Sequence, residues 1–279
     1  MLFSLLLTLG FNAHAQVRLD DMLVEEKPWE AFTADNQADT QEGKILTGKK
    51  VTTTKLDQLP VLATNNYRQA LSQTPGLQSS EVGNEAFSTL SARGLGDPHE
   101  SMNIQTLMDG LPISADMYGY PANYFVPPFQ MLDRIEFLRG GAALLYGPAI
   151  GGAINYITRP PVQERPFSGR VGLIGGSFKA FNSYNEISGT KGNTSYLLGV
   201  NRRQSDGLRE RNSAFYAQMG QALIEQKVGG HDKVWVRGNL YRGSHQTAGG
   251  LALNPAAGVY SFKTDRFKNP LQYDHLEIQ

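Results

Sequence analysis

The stretch DRIEFLRGGAALLYGPAIGGAINYITR (Asp133–Arg159) decides the fold, because two strand-like segments flank a glycine-rich connection. Arg134–Arg139 alternates charged and apolar residues and predicts a strand, which a Gly-Gly pair ends. We expect a short helix over Ala142–Tyr146. A last strand is predicted over Ala153–Thr158, stopped by a proline pair. These segments form a strand–helix–strand unit that closes a folded domain.

The residues before this stretch predict the rest of an α+β domain that begins at Ile45. Val51–Thr54 is β-branched and predicts a strand. Asn65 is the predicted N-cap of a helix that continues through Leu71 and ends at a Pro-Gly pair. Ile104–Met108 predicts another strand, because it is short, largely apolar and followed by an Asp-Gly turn signal.

Beyond Pro161, segments of about ten residues alternate apolar and polar side chains between turns, which is typical of transmembrane barrel strands. The segment Lys233–Tyr241 has an apolar face of Val234, Val236, Gly238 and Leu240 and a polar face of Lys233, Trp235, Arg237, Asn239 and Tyr241. A soluble sheet buries its apolar face, whereas a barrel turns that face towards lipid, and the period alone does not separate the two. Further strands are predicted at Phe167–Gly176, Phe181–Gly189, Ser195–Arg203, Ala214–Ile224 and from Tyr273.

These segments predict about six antiparallel strands. A transmembrane barrel with a plugged lumen needs about 22 strands, so the barrel is incomplete in this chain. We therefore expect a fragment of a longer protein or the product of a truncated gene.

Composition excludes several classes of function. Lys+Arg and Asp+Glu both total 26 in 279 residues, so no global charge favours nucleic acid. The chain has no cysteine, which excludes disulfides and thiolate chemistry. The motifs HExxH, GxSxG, GxxxxGK[ST] and CxxC are absent, and His99-Glu100 lacks the ligand number of a metal site, so we expect no catalysis, no cofactor and no metal centre.

The N-terminus predicts export. Leu2–Phe11 is nearly all apolar but too short to span a bilayer, and Ala13-His14-Ala15 resembles a cleavage site, so residues 1–15 are a predicted signal peptide. The alternative is a buried first helix of a globular fold. Residues 16–44 are polar and predict a flexible tether, which contains a short apolar patch at Asp20–Val24.

An ordered series of motifs follows the tether: NYRQAL (66–71), TPGL (74–77), SARG (91–94), LMDGLP (107–112) and the opening stretch with its RIExxRG, YG and GGxINxIT elements. In this order they resemble the plug domain of TonB-dependent outer-membrane receptors. The segments RGLGDPHES, DMYGYPANYFVPP and LRGGAALLYGP are most similar to ferric citrate receptors. The resemblance implies a plug at residues 45–161, the first barrel strands at residues 162–279, and a location in the outer membrane of a Gram-negative bacterium.

The resemblance also implies partners and mechanism. Such receptors import ferric chelates using TonB and its inner-membrane energising complex. A short segment of the receptor pairs with TonB as an added strand. Our candidate TonB box is Asp20, Asp21, Met22, Leu23 and Val24, and the alternative is an ordinary linker. Arg93 and Arg139 are implied to latch the plug through barrel glutamates that lie beyond residue 279; the alternative is a surface arginine at the end of a strand.

Ligand binding is expected on outward loops of the plug and on barrel arginines. The plug candidates are Met117, Tyr118, Tyr120, Asn123 and Tyr124, whose rings and amides suit a chelate surface. An anionic chelate also needs arginines, for which Arg203, Arg209 and Arg211 are candidates. We expect a monomer in contact with outer-membrane lipid that binds no nucleic acid. The alternatives to ferric chelate import are a regulatory receptor without transport, uptake of a non-iron nutrient, or an inactive fragment.

Overall fold

The computed structural model describes side chains for residues 51–59, 65–79, 89–95, 103–113, 127–140, 143, 146, 149–208, 213–229 and 232–246. It describes the backbone alone for residues 35–36, 40–41, 44–45, 50, 80–81, 88, 114–115, 120–121, 251–254, 259–262 and 271–278. All of these residues belong to one compact unit, residues 32–279. The predicted signal peptide lies outside the described residues.

The chain up to Thr158 contains one short helix and twelve strands among its described residues, most of them brief. Helix α1 spans Tyr67–Ala70, and 3₁₀ turns span Leu56–Gln58 and Phe129–Met131. The strands are β1 (Asp35–Asn36), β2 (Thr40–Gln41), β3 (Lys44–Ile45), β4 (Lys50–Lys55), β5 (Leu77–Glu81), β6 (Ser88–Ala92), β7 (Gln105–Met108), β8 (Leu111–Pro112), β9 (Ser114–Ala115), β10 (Tyr120–Pro121), β11 (Leu132–Arg139) and β12 (Ala153–Thr158).

Six of these strands form one mixed sheet, here called the plug sheet, in the order β1-β4-β11-β12-β7-β8. Strands β7 and β12 run parallel, whereas the other neighbours run antiparallel. The central strand β12 is buried on both faces, because its sequence AINYIT offers apolar or amide side chains to each. The predicted α+β plug domain is thereby confirmed. Strand β1 was not predicted, since Asp35–Asn36 has poor strand propensity.

The predicted N-cap of the helix is wrong by one residue. Asn66 caps α1, because its side-chain oxygen accepts a hydrogen bond of 2.7 Å from the backbone N–H of Gln69. Asn65 instead accepts from the Phe129 N–H at 2.8 Å and donates to the Pro127 carbonyl at 3.1 Å. A distant segment therefore decides which asparagine is free to cap the helix. Most of the helix predicted at 142–146 lies outside the described residues.

Six longer strands form a second sheet, here called the wall sheet. They follow one another as an antiparallel meander: β13 (Ser168–Gly176), β14 (Ala180–Lys191), β15 (Thr194–Ser205), β16 (Phe215–Val228), β17 (Asp232–His245) and β20 (Leu271–Ile278). The short hairpin β18 (Leu251–Asn254) and β19 (Val259–Phe262) lies between the last two in sequence. All six predicted wall strands are confirmed, and several continue past their predicted ends.

The two faces of the wall sheet differ in chemistry. The outward face exposes apolar side chains, namely Val171, Leu173, Ile187, Leu198, Val200, Ile224, Val234, Val236 and Leu240. The inward face buries a mixture of polar, aromatic and apolar side chains, namely Tyr184, Glu186, Leu197, Asn201, Arg203, Ala217, Met219, Gln221, Asn239 and Tyr241. A soluble sheet has the opposite arrangement, so the structure confirms the first part of a barrel wall.

Within the described part of the chain, no helix combines the length and the hydropathy needed to cross a membrane.

Candidate functional site at the plug–wall contact

One hydrophobic core joins the plug to the inward face of the wall. Its plug members include Tyr67, Met131 and Phe137, and its wall members are Tyr184, Ala217, Met219 and Tyr241. Gly199 of the wall lies close to Met131 of the plug. A Cβ added to Gly199 would lie 3.6 Å from the methyl carbon of Met131, which is an ordinary van der Waals distance. The plug therefore fits against the wall without an intervening water layer at this point.

Tyr67 lies at the centre of the joint core. Its ring packs 4.6 Å from Phe129 and 5.5 Å from Tyr156, measured between centroids, and its hydroxyl donates to the Pro127 carbonyl at 2.6 Å. Burial raises the pKa of the Tyr67 phenol well above its ordinary value of 10.0, whereas the positive charge of Arg203 lowers it. The wall guanidinium thus acts electrostatically on a phenol of the plug.

A direct ion pair also joins the two parts. Arg237 of β17 donates from Nη1 to Oδ2 of Asp109, and the two side chains are 12% and 16% exposed. Asp109 lies in the two-residue turn between β7 and β8, where Asp109 and Gly110 have φ of +50° and +87°, as a type I′ hairpin turn requires. The sequence therefore places a carboxylate at the tip of a rigid hairpin that faces the wall.

Further hydrogen bonds connect the Asp109-Gly110 turn to the plug sheet. Asn155 of β12 accepts from the Gly110 N–H at 2.9 Å and donates to Glu136 Oε2 at 3.2 Å. Glu136 in turn accepts from Arg134 Nε at 2.9 Å. A buried polar network is rigid when its members are satisfied, so the hairpin turn is tied to two central strands.

A cavity of about 370 Å³ lies between plug and wall near β13 and β14. Gln130 and Arg159 of the plug and Asn182 and Tyr184 of the wall contribute to its lining. Gln130 Oε1 and Arg159 Nε have no hydrogen-bond partner among the described residues. Polar walls of this kind hold water or a small polar solute. A larger groove, about 870 Å³, lies on the outward apolar face, where lipid rather than a chelate fits.

The structure places only some of the predicted site residues. Arg139 donates from Nη2 to Thr52 Oγ1 at 2.6 Å, so in this chain it contacts the plug itself. Arg93 is exposed, with φ of +50°, and its backbone N–H donates to the Gly76 carbonyl at 2.9 Å. Arg203 is 1% exposed and faces the plug, so its side chain is covered in this conformation.

The remaining predicted residues are not placed. Tyr120 lies in β10, of which only the backbone is described, and pairs with Ala115 of β9. The other residues lie outside the described residues: Asp20, Asp21, Met22, Leu23, Val24, Met117, Tyr118, Asn123, Tyr124, Arg209 and Arg211. Sequence reasoning did not pair Asp109 with Arg237, although the Asp-Gly turn and the polar face of 233–241 were both recognised.

Comparisons with known proteins agree with this geometry. Residues 44–153 match the family model of the TonB-dependent receptor plug domain. The chain is similar to the ferripyoverdine receptor of Pseudomonas aeruginosa, with 30% identity over 144 residues, covering 51% of this chain and 17% of that protein. It is also similar to the vitamin B12 transporter BtuB of Vibrio cholerae, with 27% identity over 203 residues, covering 71% and 31%.

Solved structures share the fold. The crystal structure of the Pseudomonas aeruginosa ferripyoverdine receptor bound to ferripyoverdine superimposes with a TM-score of 0.67 at 20% identity. The match covers 88% of this chain and 34% of that one. The chain thus spans about a third or less of the length of these relatives.

Proposed function

We propose that this chain, whose residues 44–153 match the plug domain of TonB-dependent receptors, is part of a Gram-negative outer-membrane protein that imports a ferric chelate with energy supplied through TonB. The function is that of a transporter rather than an enzyme. The chelated iron is the cargo, and no resident cofactor is required.

The observation that carries this proposal is the joint core of plug and wall. A plug that shares buried side chains such as Tyr67 and Tyr241 with the wall closes the pore at that point. Opening the pore exposes this apolar surface to water, which costs free energy. The outer membrane has no ATP, so the work must come from the inner membrane through a partner protein. A TonB-dependent cycle meets this requirement.

The chemistry of the proposed cargo follows from the similarity to the ferripyoverdine receptor and from the ferric-citrate-like segments at 93–101, 116–128 and 138–148. We propose that Met117, Tyr118, Tyr120, Asn123 and Tyr124 contact the organic surface of the chelate. Arginines supply the charge for an anionic chelate, since guanidinium groups bind carboxylates in a bidentate manner. The proposed arginines are Arg209 and Arg211, together with Arg203 once the plug has moved away from it.

A non-iron nutrient is the second candidate cargo. The similarity to a vitamin B12 transporter extends over more of this chain than does the similarity to the ferripyoverdine receptor, 71% against 51%. A receptor that binds its ligand without transporting it is the third candidate. It differs from the first two because it predicts binding without accumulation inside the cell.

Two further parts of the mechanism are proposals. Asp20–Val24 is the proposed TonB box, because it is a short apolar segment within a polar tether. Arg93 and Arg139 are the proposed latch residues. Arg93 directly follows β6 and Arg139 is the last residue of β11, where carboxylates of further wall strands would pair with them.

Uptake by cells tests the proposal. A deletion strain is complemented with the full-length gene, and accumulation of ferric citrate, ferripyoverdine and cyanocobalamin is measured with radiolabelled metal. Accumulation of an iron chelate supports the first candidate, accumulation of cyanocobalamin alone supports the second, and binding without accumulation supports the third. Deleting residues 20–24 must abolish accumulation and leave binding intact. If it leaves accumulation unchanged, the TonB-box assignment is wrong.

A further inference from the structure

We propose that the Arg237–Asp109 ion pair is a mooring that holds the plug hairpin β7–β8 against the wall and keeps the closed pore sealed. This role rests on the proposed function, because a mooring matters only where the plug closes a pore. It is distinct from the proposed latch at Arg93 and Arg139. There the arginine belongs to the plug, whereas here the wall supplies the arginine and the plug supplies the carboxylate.

The plug side of the pair is fixed in position. Oδ1 of Asp109 accepts from the backbone N–H of Thr158 at 2.9 Å, and Oδ2 accepts from the Thr158 hydroxyl at 2.9 Å. The backbone at Asp109 is fixed by the tight turn and by its N–H bond to the Tyr156 carbonyl at 2.9 Å. The carboxylate therefore points at the wall without having to be ordered when the pair forms, which preserves more of the pairing energy.

On the wall side of the pair, Arg237 has few other groups that could balance its positive charge. The Arg237 guanidinium lies 5.8 Å from the centre of the Trp235 ring, and its Nε has no hydrogen-bond partner among the described residues. Asp109 is the carboxylate that the structure pairs with it. A largely buried guanidinium that loses its carboxylate is left poorly solvated, so separating the pair is costly.

The ion pair gives the contact a fixed register. Most neighbouring plug–wall contacts are made by apolar and aromatic side chains, and such contacts are nondirectional, so they tolerate sliding. The polar contact nearby is the long hydrogen bond of 3.9 Å from Asn239 to the Met108 sulfur, which is weaker than an ion pair. A charge-assisted hydrogen bond at a hairpin tip is directional and fixes one position along β17. The network through Asn155 and Glu136 then transmits that position to the centre of the plug sheet.

Leakage of a large antibiotic through the outer membrane tests the mooring without any substrate. Vancomycin sensitivity is measured in cells that produce the full-length protein with Asp109→Asn, Arg237→Gln, both substitutions together, or Arg237→Lys. An asparagine side chain tolerates positive φ and can still accept from the Thr158 N–H, so Asp109→Asn removes the charge and keeps the turn. Lys233→Gln is the matched control, because Lys233 is an exposed residue of the same strand paired with Glu225 at 3.3 Å.

Each single neutralisation is expected to raise sensitivity about tenfold, and the double variant is expected to add no more, because the pair acts as a unit. Arg237→Lys restores part of the seal, and Lys233→Gln changes nothing. The amount of folded protein is measured by heat-dependent gel migration. Folded single variants without leakage, or strictly additive leakage in the double variant, overturn the mooring. Failure of the wild type to take up any chelate refutes the proposed function instead, and the leakage pattern still decides the mooring.

Discussion

Replacing Val200 by arginine tests whether the outward face of the wall contacts lipid. Val200 is the seventh of the twelve residues of β15 and is 57% exposed on the apolar face. An arginine near the middle of a bilayer costs about 2–4 kcal/mol in a barrel wall. At a water-facing surface position, the same change stays within about 0.5 kcal/mol. The two environments thus predict clearly different free energies of unfolding.

Val228→Arg is the matched control for this substitution. Val228 is the last residue of β16 and is 50% exposed, so the exposed area at the two sites is nearly equal. At the end of a strand the arginine reaches the interface, where its cost falls to about 0–1 kcal/mol. Any excess cost at Val200 therefore reports depth in the membrane rather than exposure or residue type.

The measurement is urea unfolding of the full-length protein refolded into lipid vesicles, followed by heat-dependent gel migration. We expect Val200→Arg to lower the ratio of folded to unfolded protein at least about 30-fold, which corresponds to about 2 kcal/mol. Val228→Arg should lower it by about fivefold at most. Equal destabilisation by the two variants would refute the assignment of this face to lipid.

Three predictions concern the plug. Gly152→Ala should destabilise the plug by about 2–4 kcal/mol, since the new Cβ lies 2.4 Å from the Leu138 carbonyl oxygen and φ is +105°. Limited proteolysis of the plug measures it, with Gly175→Ala, where a Cβ meets no atom within 4 Å, as the control that must remain resistant. Tyr67→Phe should cost about 1 kcal/mol in urea unfolding, because the Pro127 carbonyl loses its shorter hydrogen bond and keeps only the one from Asn65. The pKa of Tyr67 is raised on folding, so its contribution to stability is complete below the ordinary value of 10.0 and is lost as the pH rises above it. Alkaline unfolding monitored by tyrosine absorbance should therefore depend less on pH in Tyr67→Phe, and an unchanged pH dependence would contradict this reasoning.

Strands that are bounded by glycines and prolines could be predicted from the sequence. Strand β12 has its predicted bounds, Ala153–Thr158, because glycines precede it and prolines follow it. The wall strands were recognised by their alternation, but β16 continues to Val228, beyond its predicted end. Residues 225–227 are polar on both faces, so the alternating apolar pattern ends before the backbone pairing with β17 does. Errors in the predicted ends of strands therefore arise where backbone hydrogen bonding continues beyond the alternating apolar pattern.

Pairings between distant residues could not be predicted. Arg237 and Asp109 are 128 residues apart, and nothing in either local segment specifies the other. The choice between Asn65 and Asn66 as helix cap depends likewise on Phe129, which lies far along the chain. Local patterns identified the Asp109-Gly110 turn and the polar residues of 233–241. Tertiary packing decided which of these residues came into contact.

The shared core of plug and wall has a consequence for how the two parts evolve. Because Tyr184, Ala217, Met219 and Tyr241 of the wall pack among plug side chains, the two parts are shaped to each other. A plug transplanted from a relative would meet an inner wall with different volumes, and close-packed interiors tolerate such mismatches poorly. Exchange of plugs between such receptors should therefore succeed only when the inward wall residues are exchanged with them, so that plug and inner wall are inherited as one unit.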